Sequence, residues 1–316
     1  MAWCCKLGSF AKAQPTVQQP IPKEGGIRGA TKCPLPKSLT LVVPGHGMSS
    51  RTPLLTASLS KISAQLKGIG VAFSCVVFVY SPSVQKGAIT GCEVRFGAGL
   101  WTQFILQLSI GSTEVVALML DDIDIHHVNM RAFLQTMHAA RLDVASAAVH
   151  RWRWSIMRPL SNCAVHRTRF IDPLFVIYTN AAYRCWRSLL DLELDRNGWG
   201  TAYVYARRCN ASLGVLDEHV VEHRGGAGPQ RSYNTSEAEA GMRRYLRYHW
   251  GKNMSEEKFD KALVTFKRNE VRAYGARCSA VSSSYAALNP LMDVLKCGPV
   301  VPARVEHRQN HQPPLR

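Results

Sequence analysis

The sequence predicts an α/β protein of three layers, with helices on both faces of a mixed, mostly parallel sheet. Short apolar runs alternate with helical stretches along the chain, which is the order of alternating strands and helices. Several runs are apolar throughout, as strands buried on both faces are. With 316 residues, 46% of them hydrophobic, the chain is long enough for a single core of roughly 250 residues.

The predicted domain lies between two segments of different composition. Residues 1–37 and 298–316 are polar or rich in proline, with little apolar periodicity, and we expect both to be disordered, the first being basic. The domain covers 38–297. From about residue 238 it continues as a helical extension, where apolar residues recur at helical spacing around Met242 and Phe259.

The first half of the domain has the order β-α-β-α-β. Strands are predicted at 38–43, 71–80 and 114–120, with helices at about 53–66 and 99–109. This order implies parallel strands, and such sheets bind ligands at the carboxyl ends of their strands. Pro44 and Gly45 follow the first strand at that edge, where glycine allows the backbone to approach a ligand. A plain turn explains the two residues equally well.

Three carboxylates follow the third strand directly. Asp121, Asp122 and Asp124 lie within four residues, and they repel one another unless a cation or hydrogen-bond donors compensate. Mg²⁺ and Mn²⁺ prefer oxygen ligands and are often held by one or two carboxylates together with substrate phosphates. The sequence therefore indicates a metal and diphosphate site here. The alternative is helix capping, with Asp124 or Asn129 as the N-cap.

Charge and cysteine content exclude some classes of function. The 39 Lys and Arg outnumber the 22 Asp and Glu, but the basic residues are scattered without a nucleic-acid-binding motif, so we expect no nucleic acid partner. A basic nucleic-acid-binding protein remains the less favoured alternative function, and it predicts binding to DNA or RNA that weakens steeply with salt. The ten cysteines include no Cys-x-x-Cys pair, which disfavours structural zinc and leaves disulfides open. No apolar run of about 20 residues predicts a membrane span, and the first residues lack the apolar core of a signal peptide.

Several segments together resemble a known family. The strand and acidic cluster resemble the Asp-x-Asp motif of GT-A glycosyltransferases, whose fold is Rossmann-like. Further segments then resemble, in order, a plant and algal glycosyltransferase-like family catalogued as domain of unknown function 707. They are a strand at 142–149, the next strand and helix at 170–179 and 182–186, an acceptor-side turn at 197–200 and the terminal strand at 214–217. The resemblance covers about residues 39–225.

The resemblance implies a donor and a metal. It implies that the chain transfers a sugar from a nucleotide-sugar to a glycan, protein or lipid acceptor, with Asp122, Asp124 and His223 holding Mn²⁺ or Mg²⁺. His223 stands six residues after Asp217, and the neighbouring His219 is the rival ligand. The donor would contact Asp121 and Asp122, together with Pro44, Gly45 and Trp199. Trp199 would stack on a sugar or brace its glycine turn as a core residue.

The family pattern departs from this chain at the expected base. Gly-Trp-Gly is followed one residue later by an aspartate in the family, whereas Ala202 stands at that position here. Asp195 or Asp191 then replaces the base, or the mechanism is retaining and needs none, or the protein binds nucleotide-sugar without turnover. Asp172 contacts the acceptor or joins a local salt bridge.

Two further expectations concern other functions and location. A hydrolase has little support, because the chain contains no Gly-x-Ser-x-Gly and no His-Glu-x-x-His. Sequons at Asn210, Asn234 and Asn253 agree with the resemblance in indicating the Golgi or another secretory lumen. A cytoplasmic location is the alternative.

Overall fold

The computed structural model describes residues 34–85, 87–161, 163–225, 235–251, 253–270 and 278–281. The predicted tail 298–316, most of the predicted segment 1–37 and the sequon at Asn234 lie outside the described residues.

A mixed sheet forms the centre of the molecule, in the order β10-β7-β9-β6-β8-β4-β1-β2-β3. All strands on this path except β7 and β8 point in the same direction, as the pairings show. The strands are β1 (Ser38–His46), β2 (Ala72–Val79), β3 (Glu93–Phe96), β4 (Val115–Met119), β5 (Ile123–Asp124), β6 (Val144–Val149), β7 (Cys163–Thr168), β8 (Phe175–Thr179), β9 (Leu213–His223) and β10 (Cys278–Val281). The short β5 lies off this path and pairs with β9.

Helices cover both faces of the sheet. The central strands β4 and β6 are buried at every residue, which requires cover on both sides. The helices are α1 (Thr52–Gly68), α2 (Trp101–Gln107), α3 (Met130–Ala139), α4 (Asn180–Ser188), α5 (Thr201–Arg208), α6 (Thr235–Trp250) and α7 (Glu256–Glu270). α1 packs on α3, whereas α5 packs on α6. The predicted fold class, a three-layer arrangement with a mostly parallel mixed sheet and a C-terminal helical extension, is confirmed.

The sequence predicted the early elements within a few residues, but it missed others. β1 continues through Pro44 and Gly45 to His46, with an irregular register after Val43, so the predicted turn begins later. The stretch predicted as a strand at 170–179 is a strand only from Phe175 onward. β9 runs to His223, far beyond the predicted 214–217, because it pairs with β6, β7 and β5 along its length.

Three disulfides link neighbouring elements among the described cysteines. Cys75 joins Cys92 and ties β2 to the approach to β3. Cys163 joins Cys278 between β7 and β10, and Cys185 joins Cys209 between α4 and the end of α5. Each bond closes a loop of the unfolded chain and stabilises the fold by restricting that state. In the described part of the chain, no helix has the length and apolar content to cross a membrane.

Candidate functional site

The candidate site lies at one edge of the sheet. The carboxyl ends of β1, β4, β6 and β9 meet there, since these strands run in the same direction. The antiparallel β8 contributes its amino end, because Met119 at the end of β4 pairs with Phe175 at the start of β8. Residues that follow β4 and residues that precede β8 therefore come together.

Asp121 is held by two basic side chains. His46 Nδ1 lies 2.9 Å from Asp121 Oδ2, and His46 Nε2 lies 2.9 Å from Thr52 Oγ1. Arg51 Nη1 donates to Asp121 Oδ1 at 2.9 Å. Both oxygens of this buried carboxylate therefore already have hydrogen-bond partners. This arrangement suits Asp121 to holding Arg51 in place better than to binding a ligand directly.

Asp122 has one oxygen engaged and one oxygen open. Its Oδ2 lies 3.1 Å from Arg51 Nη1 and 3.2 Å from His223 Nε2, whereas its buried Oδ1 has no hydrogen-bond partner among the described residues. Burial raises the pKa of Asp122, but the hydrogen bond from His223 and the charges of His223 and Arg51 outweigh burial, so the pKa lies below its ordinary value. An ionised carboxylate with an open buried oxygen is suited to a cation or a donor group.

Gly225 leaves room beside this pair. A Cβ at residue 225 would lie 2.5 Å from Asp122 Oδ2 and 2.5 Å from His223 Cε1, so either side chain would have to shift to accommodate it. Oxygen and imidazole ligands together suit Mn²⁺, and substrate phosphates and water complete such sites. The residues therefore fit the predicted metal at two of its three ligands.

The third predicted ligand is turned away. Asp124 Oδ2 accepts from Arg224 Nη2 at 3.0 Å, and its Oδ1 accepts from the backbone N–H of His126 at 2.9 Å. Burial is the largest single effect and raises the pKa of Asp124, but the hydrogen bonds from His126 N and Arg224 and the charge of Arg224 together outweigh it, so the pKa lies below its ordinary value. Asn129, not Asp124, is the N-cap of α3, accepting from Ala132 N at 3.1 Å. Within the described residues, no group of three or more His, Cys, Asp or Glu side chains is placed to hold a metal ion.

His219, the rival histidine, is a core residue. It is buried, and its ring lies 5.3 Å from that of Phe133 on α3. Burial lowers the pKa of His219 to about 4, so the imidazole is neutral near pH 7. Between the two histidines, His223 alone contacts the carboxylate of Asp122.

A cavity of about 270 Å³ opens on the same edge. Its walls are mostly apolar, with several aromatic side chains and a few charged ones, which is typical of a ligand site. The lining includes Trp101, Trp154, Phe170, Asp172, Trp199, Ala202, Tyr203, Glu239 and Lys267. The sequence placed Trp199 and Asp172 in the site, and the structure brings both to this cavity.

Asp172 is one of two carboxylates that line this cavity, and Glu239 on α6 is the other. Trp152 Nε1 donates to Asp172 Oδ2 at 2.9 Å. Burial raises the pKa of Asp172, and hydrogen bonds from Trp152 and Trp154 with the nearby charge of Arg153 offset only part of this effect. A carboxyl group with a raised pKa in a cleft is suited to accepting a proton. The sequence left two alternatives for Asp172, contact with the acceptor or a local salt bridge. Its place in the cavity and its hydrogen bond from Trp152 favour the first.

Asp195 lies outside the cavity lining and has a structural role. The residue is buried; its Oδ2 accepts from Gly200 N at 2.6 Å and its Oδ1 from Asn197 N at 3.2 Å. Asp191 Oδ1 likewise accepts from the backbone N–H groups of Glu193 and Leu194. Because these oxygens hold the turn before α5, the geometry gives no support to either residue as the base.

Gly45 lies beside an exposed aromatic ring, whereas Pro44 is buried within β1. Tyr80, which follows β2, is 43% exposed. A Cβ on Gly45 would lie 3.4 Å from the Tyr80 ring, and a Cβ on Gly47 would lie 2.0 Å from it. Gly47 is therefore required for the ring to lie across this strand end.

The sequence reasoning missed several residues of the site. His46, Tyr80 and Trp152 received no role, and Arg51 received little. Position at the carboxyl end of a strand was a usable signal for His46 and Tyr80, since the other site residues lie at the same edge of the sheet. For Trp152 the only signal is its place after β6, within the basic stretch that begins at Arg151.

Comparisons with known proteins give distant likenesses. No protein-family model matches the sequence, and a search of curated proteins finds no match. Among solved structures, S. aureus TarS 1–349 in complex with UDP-GlcNAc shares 15% identity, covers 73% of this chain and 71% of its own, and has a TM-score of 0.46. GalNAc-T7 with UDP, GalNAc and Mn²⁺ shares 10% identity, covers 81% of this chain and 57% of its own, and has a TM-score of 0.44.

Both neighbours are GT-A glycosyltransferases. With identities of 15% or less and TM-scores below 0.5, these likenesses carry no functional assignment. The predicted resemblance to the family catalogued as domain of unknown function 707 has no support from a family model.

Proposed function

We propose that this protein is a glycosyltransferase that uses a nucleotide-sugar donor. One observation carries the proposal: the ionised Asp122, with an open buried oxygen and His223 beside it, lies at the same sheet edge as a cavity that contains Asp172. The first pair suits a metal-bound diphosphate, and the cavity suits a sugar and an acceptor hydroxyl. The sequence resemblance to GT-A transferases agrees with this division.

The donor side consists of Asp122, His223 and Arg51. Asp122 and His223 would hold Mn²⁺ or Mg²⁺, which neutralises the departing nucleoside diphosphate when bound. Asp124, paired with Arg224, would join the metal only after leaving that partner. Arg51, fixed by Asp121 and 26% exposed, places a positive charge beside the same oxygens and is suited to a phosphate.

A nucleobase fits the end of β2. Tyr80 presents an exposed ring above Gly45, and aromatic rings stack on bases without regard to sequence. We therefore place the base and ribose near Pro44, Gly45 and Tyr80, with the diphosphate toward Arg51.

The acceptor side contains Asp172 and Trp199. Asp172 would take the proton of the acceptor hydroxyl, since its pKa is raised by burial. Trp199, half-buried in the cavity wall, offers a ring face to the apolar side of a sugar. Ala202 on α5 lines the same cavity, so Asp172, in the segment before β8, would supply the carboxylate that Ala202 lacks.

Binding without turnover is the second candidate, and Ala202 is the observation that favours it. If Asp172 does not act as the base, the site retains its donor-binding groups and loses transfer. Ala202→Asp then gains nucleotide release, whereas in an active enzyme this substitution only crowds the cavity.

Two measurements test the proposal. Thermal shifts with UDP-, GDP- and ADP-sugars, each with and without Mn²⁺, report donor binding by linkage. Release of the nucleoside diphosphate from the donor with the largest shift reports turnover. A shift with release supports the transferase, and a shift without release supports the binding protein. If no donor shifts the Tm, both the transferase and the binding protein are refuted. If the shift is the same without Mn²⁺, Arg51 and not a metal ion binds the diphosphate.

A secretory lumen is the proposed location. The three disulfides support an oxidising compartment. Asn210 and Asn253 are exposed sequon positions, available to glycosylation. Mass spectrometry of the protein from its native source would show glycans there, whereas unmodified asparagines and free thiols would indicate the cytoplasm.

A further inference from the structure

Trp152 occupies a fixed position just beyond β6. That strand ends beside β9, where His150 N donates to Val221 O at 3.0 Å. Arg151 then adopts a left-handed conformation with φ of 54°, which turns the chain at the end of the strand. The carbonyl of Trp152 accepts from Arg158 Nε at 2.6 Å. The backbone of Trp152 is thus held on both sides.

The indole of Trp152 contacts one group from each half of the site. Its ring lies 4.9 Å from the imidazole of His223, at an interplanar angle of 57°. Its Nε1–H donates to Asp172 Oδ2 at 2.9 Å. His223 in turn lies 3.2 Å from Asp122. A single side chain therefore links the proposed metal ligand to the proposed base.

We propose that Trp152 is a positioning residue that fixes Asp172 through its N–H and His223 through its ring. The inference rests on the proposed function, since it assigns the two contacts to the acceptor side and the donor side. It goes beyond that function in making the two halves depend on one residue. A hydrogen bond to a carboxylate is stronger than one between neutral groups, so the N–H sets the orientation of Asp172 in the cavity.

The two contacts can be separated by substitution. Trp152→Phe keeps a ring against His223 and removes the N–H that donates to Asp172 Oδ2, while Trp154 remains beside the carboxyl group. Trp152→Ala removes both contacts. Trp250→Phe is the matched control, because Trp250 packs on Phe259 and Phe266 of α7 and does not line the cavity that contains Asp172.

The kinetic experiment measures release of the nucleoside diphosphate from the donor with the largest thermal shift. For Trp152→Phe we expect kcat to fall about tenfold, the effect of losing one hydrogen bond to a charged group, with KM for the donor unchanged. In an Asp172→Asn background the same substitution should change kcat less than about twofold, because residues that act as a unit are non-additive. Equal effects in both backgrounds, or a changed KM alone, overturn the role at Asp172.

The binding experiment measures the thermal shift given by Mn²⁺ with UDP. We expect Trp152→Phe to keep the wild-type shift and Trp152→Ala to lose most of it, with near-UV circular dichroism confirming that each variant is folded. A full shift in folded Trp152→Ala overturns the role at His223; if that variant does not fold, a lost shift in Trp152→Phe does so. Wild-type protein that binds the donor but releases no nucleoside diphosphate refutes the proposed activity. The thermal shifts of the Trp152 variants would still test the contact with His223 in that case.

Discussion

Replacing Asp122 by asparagine is the most direct test of the donor site. Asparagine has nearly the same shape as aspartate, but it has no charge and only one oxygen. In the structure Asp122 Oδ2 meets Arg51 at 3.1 Å and His223 at 3.2 Å, and Oδ1 is the open oxygen. The substitution therefore removes the proposed metal ligand without creating a cavity.

Two opposing effects set the stability of the unliganded variant. Lost hydrogen bonds to a charged group cost about 1.5–3 kcal/mol, although Arg51 retains Asp121 at 2.9 Å. Relief of repulsion between the neighbouring carboxylates of Asp121 and Asp122 offsets this cost. We expect a net change within about 1 kcal/mol, or roughly 2 °C in Tm for a domain of this size.

The liganded protein should differ far more. A ligand at one hundred times its Kd stabilises the wild type by about 2.7 kcal/mol, which is about 5 °C in Tm. Asp122→Asn should lose this shift with Mn²⁺ and UDP while its own Tm changes little. Differential scanning fluorimetry with and without ligand measures both quantities.

A matched control makes the result specific. Asp260 on α7 is 51% exposed and pairs with Arg243, so Asp260→Asn removes the same charge outside the described site and should keep the full shift. A full shift in Asp122→Asn refutes the metal assignment. A shift lost in both variants would point to a general effect of charge and not to this site.

Three further substitutions give separate outcomes. Burial raises the pKa of Asp172, so activity that needs its ionised form should fall as the pH drops through a value above the ordinary carboxyl range. Asp172→Asn should lower kcat by about 10² to 10⁴ and remove this acidic limb from the kcat/KM profile, whereas an unchanged acidic limb excludes Asp172 as the base. Gly225→Ala should weaken the shift with Mn²⁺ and UDP, because its Cβ would lie 2.5 Å from Asp122 Oδ2; Gly68→Ala, which meets no atom within 4 Å, is the control, and equal shifts contradict the packing argument. Cys185→Ser opens a disulfide with a sequence separation of 24 and should lower the free energy of unfolding by about 3 kcal/mol in urea titrations. Reduction opens the remaining disulfides in both proteins, so the difference between wild type and variant should disappear under reducing conditions, whereas an unchanged midpoint in the oxidised variant argues against the bond.

The donor half of the site was predictable because it depends on parallel strands. A buried strand followed at once by Asp121 and Asp122 places those carboxylates at the ligand-binding edge by topology alone. His223 was reachable only through the family resemblance, since its register opposite Ile123 depends on the pairing of β5 with β9. Asp124 stays a predicted ligand, but no sequence pattern showed that Arg224, one residue after His223, would pair with it.

Asp195 illustrates why nearness in sequence was a poor guide to the base. Asp195 stands close to the glycine turn in sequence, but its oxygens accept the N–H groups of Asn197 and Gly200. Short-range hydrogen bonding of this kind is the usual role of aspartate before a helix. The nearness of Asp195 to the turn in sequence therefore reflects its role in stabilising that turn, and it does not place the side chain in the cavity.

The direction of β8 decides where Asp172 lies, and the sequence does not state that direction. β8 runs antiparallel between β4 and β6, so the residues before it lie at the same edge as the residues after β4. A parallel β8 of the same five residues would place Asp172 at the opposite edge, about 17 Å away at roughly 3.3 Å per residue. Leu120 N donates to Leu174 O at 3.0 Å, which joins the two segments directly. One strand reversal thus gives the cavity a carboxylate although Ala202 has none, and it makes Asp172 the residue on which turnover should depend.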